Sequence, residues 1–154
     1  MVKILFICQG NICRSPMAMF LLRDKLSKLT LKEEVCVTSA ALESSTKGED
    51  MHPKAKEQLD MHSICYTKHS AHPLSIKEYL EMDYVLYMES YQKITMKRMM
   101  SNNHMEKAHR LFDYTGIKKD IADPYYTGDF SLAYQDIEKG IDAFIEKELK
   151  GKVI

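Results

Sequence analysis

The chain has 154 residues, of which 45% are hydrophobic and 29% are charged, and its 22 Lys and Arg residues balance its 22 Asp and Glu residues. This length predicts one domain spanning residues 1–154, and an ordinary apolar content without net charge argues against a disordered chain. The zero net charge, and apolar runs far shorter than the ~20 residues of a membrane-spanning helix, argue against nucleic acid or a membrane as the partner.

The hydrophobic pattern predicts strands that alternate with helices along the chain. In chain order the predicted elements are strand 2–7, helix 16–29, strand 35–40, helices 53–61 and 75–82, strand 84–88, helix 90–100, strand 108–112 and helix 131–150. Residues 1–8 contain a short apolar stretch but not the cleavage site of a signal peptide, so we expect a cytoplasmic protein. No surface pattern locates an interface between copies, and we expect a monomer, with weak self-association as the alternative.

This alternation predicts an α/β fold, with a central parallel four-stranded sheet and helices on both of its faces. Sheets of this kind bind ligands beyond the carboxyl ends of their strands. The loop that follows the first strand is therefore the first place to expect a functional site.

The loop after the first strand reads Cys8-Gln9-Gly10-Asn11-Ile12-Cys13-Arg14-Ser15-Pro16. Ser15 is predicted to cap the next helix, and Pro16 to occupy its first position. A helix N-terminus presents unpaired N–H groups, and Gly10 and Asn11 tolerate strained backbone, so this segment can close around a tetrahedral oxyanion. Arg14 can complete such a phosphate-binding loop with two parallel hydrogen bonds.

Cys8 is placed by this pattern at the bottom of the anion site. A helix N-terminus and a nearby cation favour the thiolate form of a cysteine, and the Ser15 hydroxyl can donate to the sulfur. A thiolate here would face a bound phosphorus at attack distance. The loop lacks the Gly-Lys pair of a Walker motif, so hydrolysis of nucleoside triphosphates is not expected.

The spacing of Cys8, Arg14 and Ser15 resembles the phosphate loop of cysteine-dependent phosphatases. The longer pattern C-x-G-N-I-C-R-S-P near the N-terminus is similar to that of the low-molecular-weight protein tyrosine phosphatase family, and the similarity extends to length and element order. It implies that residues 9–15 bind phosphate, with Cys8 as nucleophile and Arg14 as phosphate clamp. The implied reaction is hydrolysis of phosphotyrosine in proteins, or of small aryl phosphates, through a phosphocysteine without metal or cofactor. Inorganic phosphate, vanadate and sulfate are the expected site ligands.

The leaving oxygen of such a reaction needs a proton, which a carboxylic acid above the loop can supply. The family carries this acid in an Asp-Pro loop before the last helix, and the matching residue is Asp123. The resemblance thus implies Asp123 as general acid and then general base, with Asp120 as the second candidate. Tyr125 and Tyr126 follow directly and could form a wall for an aromatic ring.

The resemblance also implies residues that support the loop. Asn11 would hold it through side-chain hydrogen bonds, with Ser15 beside it. Ser39 and His69 match family positions that brace Asn11, although a surface histidine is an equal alternative for His69.

Three positions depart from the family pattern. Glu89 stands where the family usually has Asp, and His72 replaces an Arg. Ser45 occupies the position of an aromatic pocket residue in many members, with Leu42 as the nearest apolar candidate for the substrate pocket. The departures at Ser45 and His72 affect the expected substrate preference and leave the expected chemistry unchanged. The longer side chain of Glu89 can change how the loop or Arg14 is supported.

The four cysteines divide into two groups. Cys8 and Cys13 flank a tight loop, so we predict that oxidation joins them in a reversible disulfide. Cys36 and Cys65 are predicted to be buried packing residues, because free cysteine is among the most buried residue types.

Three alternative functions remain open on the same loop. A thiol-dependent arsenate reductase would need further cysteines close together, whereas Cys36 and Cys65 lie far apart in the chain. A phosphoarginine phosphatase tends to carry Thr where Ile12 stands. A module that binds phosphoproteins without catalysis belongs to another class, and turnover would separate it from an enzyme.

Overall fold

The structure, a computed structural model, describes residues 1–150, so that residues 151–154 at the end of the predicted domain lie outside the described residues. In this part of the chain the strands are β1 (Val2–Cys8), β2 (Val35–Ala41), β3 (Tyr84–Tyr87) and β4 (Ala108–Arg110). The α-helices are α1 (Arg14–Lys28), α2 (Pro53–Met61), α3 (Ile76–Glu81), α4 (Ser90–Met99), α5 (Pro124–Thr127) and α6 (Phe130–Phe144). None of these helices combines the length and the apolar character that crossing a bilayer requires.

The strands form one sheet in the order β2-β1-β3-β4, and every neighbouring pair runs parallel. The register places Ile7 of β1 between Ala40 of β2 and Tyr87 of β3, so the carboxyl ends of these strands meet at one edge. Because the chain pairs β1 with β2 on one side and with β3 on the other, the loop after β1 opens at the switch point of the sheet. The predicted single-domain α/β fold is confirmed.

Residues 4–8 of β1 are buried on both faces of the sheet, which explains why this part of the strand is continuously apolar. Ile4 and Phe6 point into a core cluster that includes residues of α1 and α6. Leu5 and Ile7 point into a second cluster on the other face, which α3 and α4 help to cover. This alternation follows from the two-residue period of a strand, and it holds the end of β1 rigidly at the sheet edge.

Some predicted helix and strand boundaries differ from those in the structure. Helix α1 begins at Arg14 with Cys13 at its N-cap, so Ser15 lies in the first turn and does not cap it. The reason is that the Ser15 hydroxyl contacts side chains of the preceding loop, described below. The predicted strand 108–112 ends at Arg110, because a 3-10 helix begins at Leu111 and continues to Thr115. The short α5 lies between this 3-10 helix and α6.

The burial predicted for Cys36 and Cys65 is also wrong. Cys36 is half-buried, and Cys65 is exposed. Strand β2 lies at the edge of the sheet, and Val35 and Val37 take its buried side, so Cys36 falls on the less covered side. Cys65 lies in the segment after α2, outside any regular element.

Gly140 of α6 packs tightly against Leu111, the first residue of the 3-10 helix that follows β4. A Cβ atom added there would lie 2.7 Å from Leu111 Cγ and 3.1 Å from the Leu111 carbonyl oxygen. We expect Gly140→Ala to lower the free energy of unfolding by about 1–3 kcal/mol, because the clash outweighs the better helix propensity of alanine. Urea unfolding measures the change. Lys139→Ala, at an exposed neighbouring position, serves as control; an equal or smaller loss for Gly140→Ala would contradict the clash.

Candidate active site

Cys8 ends β1 and lies almost fully buried, 3% exposed, inside the turn that leads into α1. Its sulfur accepts a hydrogen bond from the Asn11 backbone N–H at 3.2 Å and lies 3.0 Å from Ser15 Oγ. Asn11 Nδ2 donates to the same Ser15 Oγ at 2.7 Å, which leaves the hydroxyl proton of Ser15 for the Cys8 sulfur. Both contacts place a hydrogen-bond donor at the Cys8 sulfur.

Asn11 fixes the shape of this turn. It is fully buried and has φ 57°, a left-handed conformation that asparagine tolerates better than most residues. Its Nδ2 also donates to Ser39 Oγ at 3.0 Å, and its carbonyl oxygen accepts from His69 Nε2 at 2.8 Å. The structure thus brings together Asn11, Ser15, Ser39 and His69, four residues that the sequence analysis assigned to loop support.

His69 is buried, 8% exposed, so the surface alternative for this residue is wrong. Burial lowers the pKa of His69, against an opposing hydrogen bond to the Asn11 carbonyl. Because a carbonyl only accepts, Nε2 carries a proton in this contact. The His69 backbone N–H donates to Asp50 Oδ1 at 2.9 Å, which anchors the histidine segment to the loop before α2.

Arg14 is the largest fully buried side chain, 1% exposed, in the first turn of α1. Its guanidinium pairs with the Glu89 carboxylate, donates to the Ile121 carbonyl at 2.7 Å and lies 3.2 Å from Asp123 Oδ2. Burial alone would lower the pKa of Arg14, but the Cys8 sulfur and the two carboxylates act in the opposite direction and raise it overall. The charge is therefore retained at the edge of the sheet.

Asp123 is the N-cap residue of α5. One carboxylate oxygen accepts from the Tyr125 backbone N–H at 3.0 Å, and the other faces Arg14. The second acid candidate, Asp120, accepts from Arg110 Nη1 and from the Ser90 backbone N–H, both at 2.9 Å. Of the two acids, only Asp123 lines the same cavity as Cys8.

A cavity of about 240 Å³ opens above the loop. Its floor includes Cys8 and Arg14. One side, the tyrosine wall, consists of Asp123, Tyr125 and Tyr126. The two tyrosine rings are 60% and 80% exposed and meet edge to face at 5.2 Å between centroids.

Another part of the lining, the polar wall, consists of Glu43, Ser45, Thr46 and Glu49. Of these, only Ser45 was predicted. Thr46 Oγ1 donates to the Gly10 carbonyl at 2.6 Å, which ties this wall to the phosphate-binding loop. The sequence contained no signal for the other three, because residues 41–52 lie between a predicted strand and a predicted helix and show no hydrophobic period. Only the folded chain places them beside the phosphate-binding loop.

Leu42 does not belong to the cavity, contrary to its predicted place in the substrate pocket. It is partly buried and packs against the second core cluster. The register explains this: Ala41, paired with Cys8, ends β2 at the sheet edge, and the Leu42 backbone N–H donates to the Cys8 and Gln9 carbonyls.

Cys13 is buried beside the cavity, with 4% of its surface exposed. Burial, together with Cys8 and Asp123, raises the pKa of Cys13 to about 12. Cys13 is therefore a thiol at neutral pH. Cys36 and Cys65 do not line the cavity.

The groups at the cavity floor suit an oxyanion. A buried guanidinium and the unpaired N–H groups of a helix N-terminus both attract a tetrahedral anion. Among residues 1–150, no group of three or more His, Cys, Asp or Glu side chains is arranged to hold a metal ion.

The lowered pKa of His69 predicts a pH dependence of stability. The unfolded chain takes up the histidine proton near pH 6.5, above the pH at which the native protein does so. The stabilisation is thus fully present above pH 6.5 and is lost as the pH falls below it. Urea unfolding at several pH values should show this fall in the wild type and a shallower fall in His69→Gln. His109→Gln, at an exposed position, should keep the wild-type slope; equal slopes in all three proteins would contradict the prediction.

Several known proteins are similar to this chain in sequence and in fold. A family model described as low molecular weight phosphotyrosine protein phosphatase matches residues 3–153. The low molecular weight protein-tyrosine-phosphatase YfkJ of Bacillus subtilis (strain 168) is 32% identical over 153 residues, which cover 96% of this chain and 98% of YfkJ. The crystal structure of YfkJ matches with a TM-score of 0.95 and 30% identity, covering 99% of this chain and 97% of that chain.

Two further structures carry ligand or substrate information in their names. Drosophila arginine phosphatase (DARP) is 29% identical, with a TM-score of 0.86 and coverage of 94% of this chain and 96% of that chain. Vibrio vulnificus Wzb, in complex with benzylphosphonate, is 26% identical, with a TM-score of 0.84 and coverage of 95% and 98%. The chain belongs to the low molecular weight phosphotyrosine protein phosphatase family, whose named members are phosphoric monoester hydrolases.

Proposed function

We propose that the chain hydrolyses phosphotyrosine in proteins through a phosphocysteine, with Cys8 as nucleophile, Arg14 as phosphate clamp and Asp123 as general acid and base. The observation that carries this proposal is that these three side chains line one cavity of about 240 Å³. The YfkJ and Wzb similarities support the substrate class, since one is named a protein-tyrosine-phosphatase and the other binds benzylphosphonate.

In the first step the Cys8 thiolate attacks phosphorus, so that an S–P bond forms as the bond to the tyrosine oxygen breaks. The guanidinium of Arg14 would hold two phosphate oxygens and neutralise charge that develops on them. Residues 9–15 would surround the remaining oxygens with N–H groups. Asp123, in its protonated form, would give its proton to the departing phenolate oxygen.

In the second step water attacks the phosphocysteine. Asp123, now a carboxylate, would accept a proton from that water, so that the S–P bond breaks and inorganic phosphate and the Cys8 thiolate are released. The contact between Asp123 and Arg14 at 3.2 Å supports a place for the carboxylate above the phosphate site. Tyr125, at the side of the cavity, would pack against the substrate ring.

Phosphoarginine is the second candidate substrate, because DARP is named an arginine phosphatase and is 29% identical to this chain. Ile12, where that type tends to carry Thr, favours phosphotyrosine. Arsenate reduction is less well supported, since neither Cys36 nor Cys65 lies at the cavity. A binding module without catalysis would leave the Cys8–Asp123 arrangement without a use.

Turnover of matched aryl phosphates tests the proposal. With EDTA and reductant present, wild type should hydrolyse para-nitrophenyl phosphate and a phosphotyrosine peptide, and Cys8→Ser should hydrolyse neither. Asp123→Ala should lower kcat by about 10²–10⁴-fold on the phosphotyrosine peptide. Its loss should be smaller on para-nitrophenyl phosphate, because nitrophenolate leaves without full protonation.

Asp120→Asn is the matched control for the acid and should keep kcat close to wild type on both substrates. A reduced wild type that is as silent as Cys8→Ser would overturn the proposal. If a phosphoarginine peptide is turned over faster than the equivalent phosphotyrosine peptide, the proposed substrate changes from phosphotyrosine to phosphoarginine.

We further propose that Cys8 and Cys13 form a reversible disulfide. Hydrogen peroxide would oxidise the Cys8 thiolate to a sulfenic acid with release of hydroxide. The Cys13 thiol would then attack the sulfenic sulfur, so that the S–S bond forms as water leaves. Peroxide should remove two free thiols and all activity, and dithiothreitol should restore both. In Cys13→Ser, prolonged peroxide should cause a loss that dithiothreitol does not reverse; full recovery of that variant would contradict the proposal.

A further inference from the structure

Glu43 is held at the rim of the cavity by hydrogen bonds to both of its carboxylate oxygens. Gln9 Nε2 donates to Oε2 at 2.6 Å, and Ser45 Oγ donates to Oε1 at 2.7 Å. Gln9 is anchored in turn, because the Tyr91 hydroxyl donates to Gln9 Oε1 at 3.1 Å. This chain of contacts joins the start of α4, the phosphate-binding loop and the loop after β2.

The charges around the cavity are unevenly distributed. Its lining contains three carboxylates, those of Glu43, Glu49 and Asp123, and no Lys or His. Arg14 is the single cation of the lining, and it is already paired with Asp123 and with Glu89. The polar wall therefore carries negative charge that no side chain of the cavity lining neutralises.

The missing aromatic ring makes room for a substrate group on this side. Ser45 is exposed and small, so the polar wall presents no bulky side chain to the cavity at this position. A phosphotyrosine seated on the phosphate-binding loop would pass between the two walls, with the adjacent residues of its chain near Glu43. Each carboxylate oxygen has two acceptor sites, so the two oxygens of Glu43 can accept further hydrogen bonds.

We infer that Glu43 is a specificity-determining residue, which makes the site prefer phosphotyrosine segments with a Lys or Arg beside the phosphotyrosine. The inference rests on the proposed phosphotyrosine hydrolysis and concerns the residues that flank the phosphate. Opposite charges across a binding surface favour the matching partner, and like charges disfavour the wrong one. A flanking acidic residue would meet Glu43 and Glu49 and bind less well.

Three phosphotyrosine peptides that differ only in the flanking residue, as lysine, glutamine or glutamate, test the inference. For wild type we expect kcat/KM to fall in that order, with the difference mainly in KM and weaker at high salt. Glu43→Gln keeps the size and most hydrogen bonds of the side chain but removes its charge. It should reduce the lysine-to-glutamate ratio by about two- to five-fold, the range of an exposed ion pair.

Charge reversal and a matched control separate the charge of Glu43 from a structural effect. Glu43→Lys should invert the order, so that the glutamate peptide becomes the better substrate. Glu33→Gln removes the same charge from an exposed position just before β2, at the amino ends of the strands and away from the cavity. This variant should keep the wild-type lysine-to-glutamate ratio.

Para-nitrophenyl phosphate turnover is measured on the same samples. Its absence in wild type overturns the proposed function and this inference with it. Turnover with equal kcat/KM for the three peptides, or a lysine preference that Glu43→Gln retains in full, overturns the inference alone.

Discussion

The buried charge of Arg14 is the constraint on which the active-site edge of this protein depends. A guanidinium removed from water is costly unless carboxylates and carbonyls surround it. Here Glu89 before α4, the Ile121 carbonyl and Asp123 before α5 all turn toward it. Two segments that are far from α1 in sequence, one at Glu89 and the other at residues 121–123, are thereby held around the first turn of α1.

The Asn11 network supplies the complementary constraint from the other side of the loop. Ser39 at the end of β2 and His69 in the segment before α3 both bond to Asn11, which holds its left-handed backbone in place. Such a conformation is sparsely populated without surrounding support. Cys8 lies between the two networks. Its sulfur accepts a hydrogen bond from the Asn11 backbone N–H, and the residue lines the cavity.

The walls above the loop are less constrained than its floor, and they differ from each other. The tyrosine wall is exposed and held through Asp123, whose carboxylate caps α5. The polar wall is held by short contacts to Gln9 and Gly10 of the loop itself. The proposed chemistry thus belongs to the floor, and the proposed preference between phosphorylated groups belongs to the walls.

Sequence alone determined the fold class and the floor of the site, because both depend on local patterns. Each of these patterns is visible in a short stretch of sequence. They are the apolar run of β1, the alternation of strands with helices, and the contiguous motif from Cys8 to Pro16. Asp123 and Ser39 were also found, but only through resemblance, since neither is near Cys8 in the chain. Local patterns failed at the start of α1, where Ser15 bonds to the loop, and at Cys36, whose burial depends on an edge strand.

Only the tertiary structure decided what surrounds the floor. The loop after β2 has no hydrophobic period, yet three of its residues line the cavity above the phosphate-binding loop: Glu43, Thr46 and Glu49. Tyr91, on α4, donates a hydrogen bond to Gln9 of that loop. Leu42, adjacent to Glu43, turns into the core instead. The physical reason is that successive residues at a strand end point to opposite sides, so which of them faces the cavity depends on the register of β2 against β1 and on the path of the loop that follows.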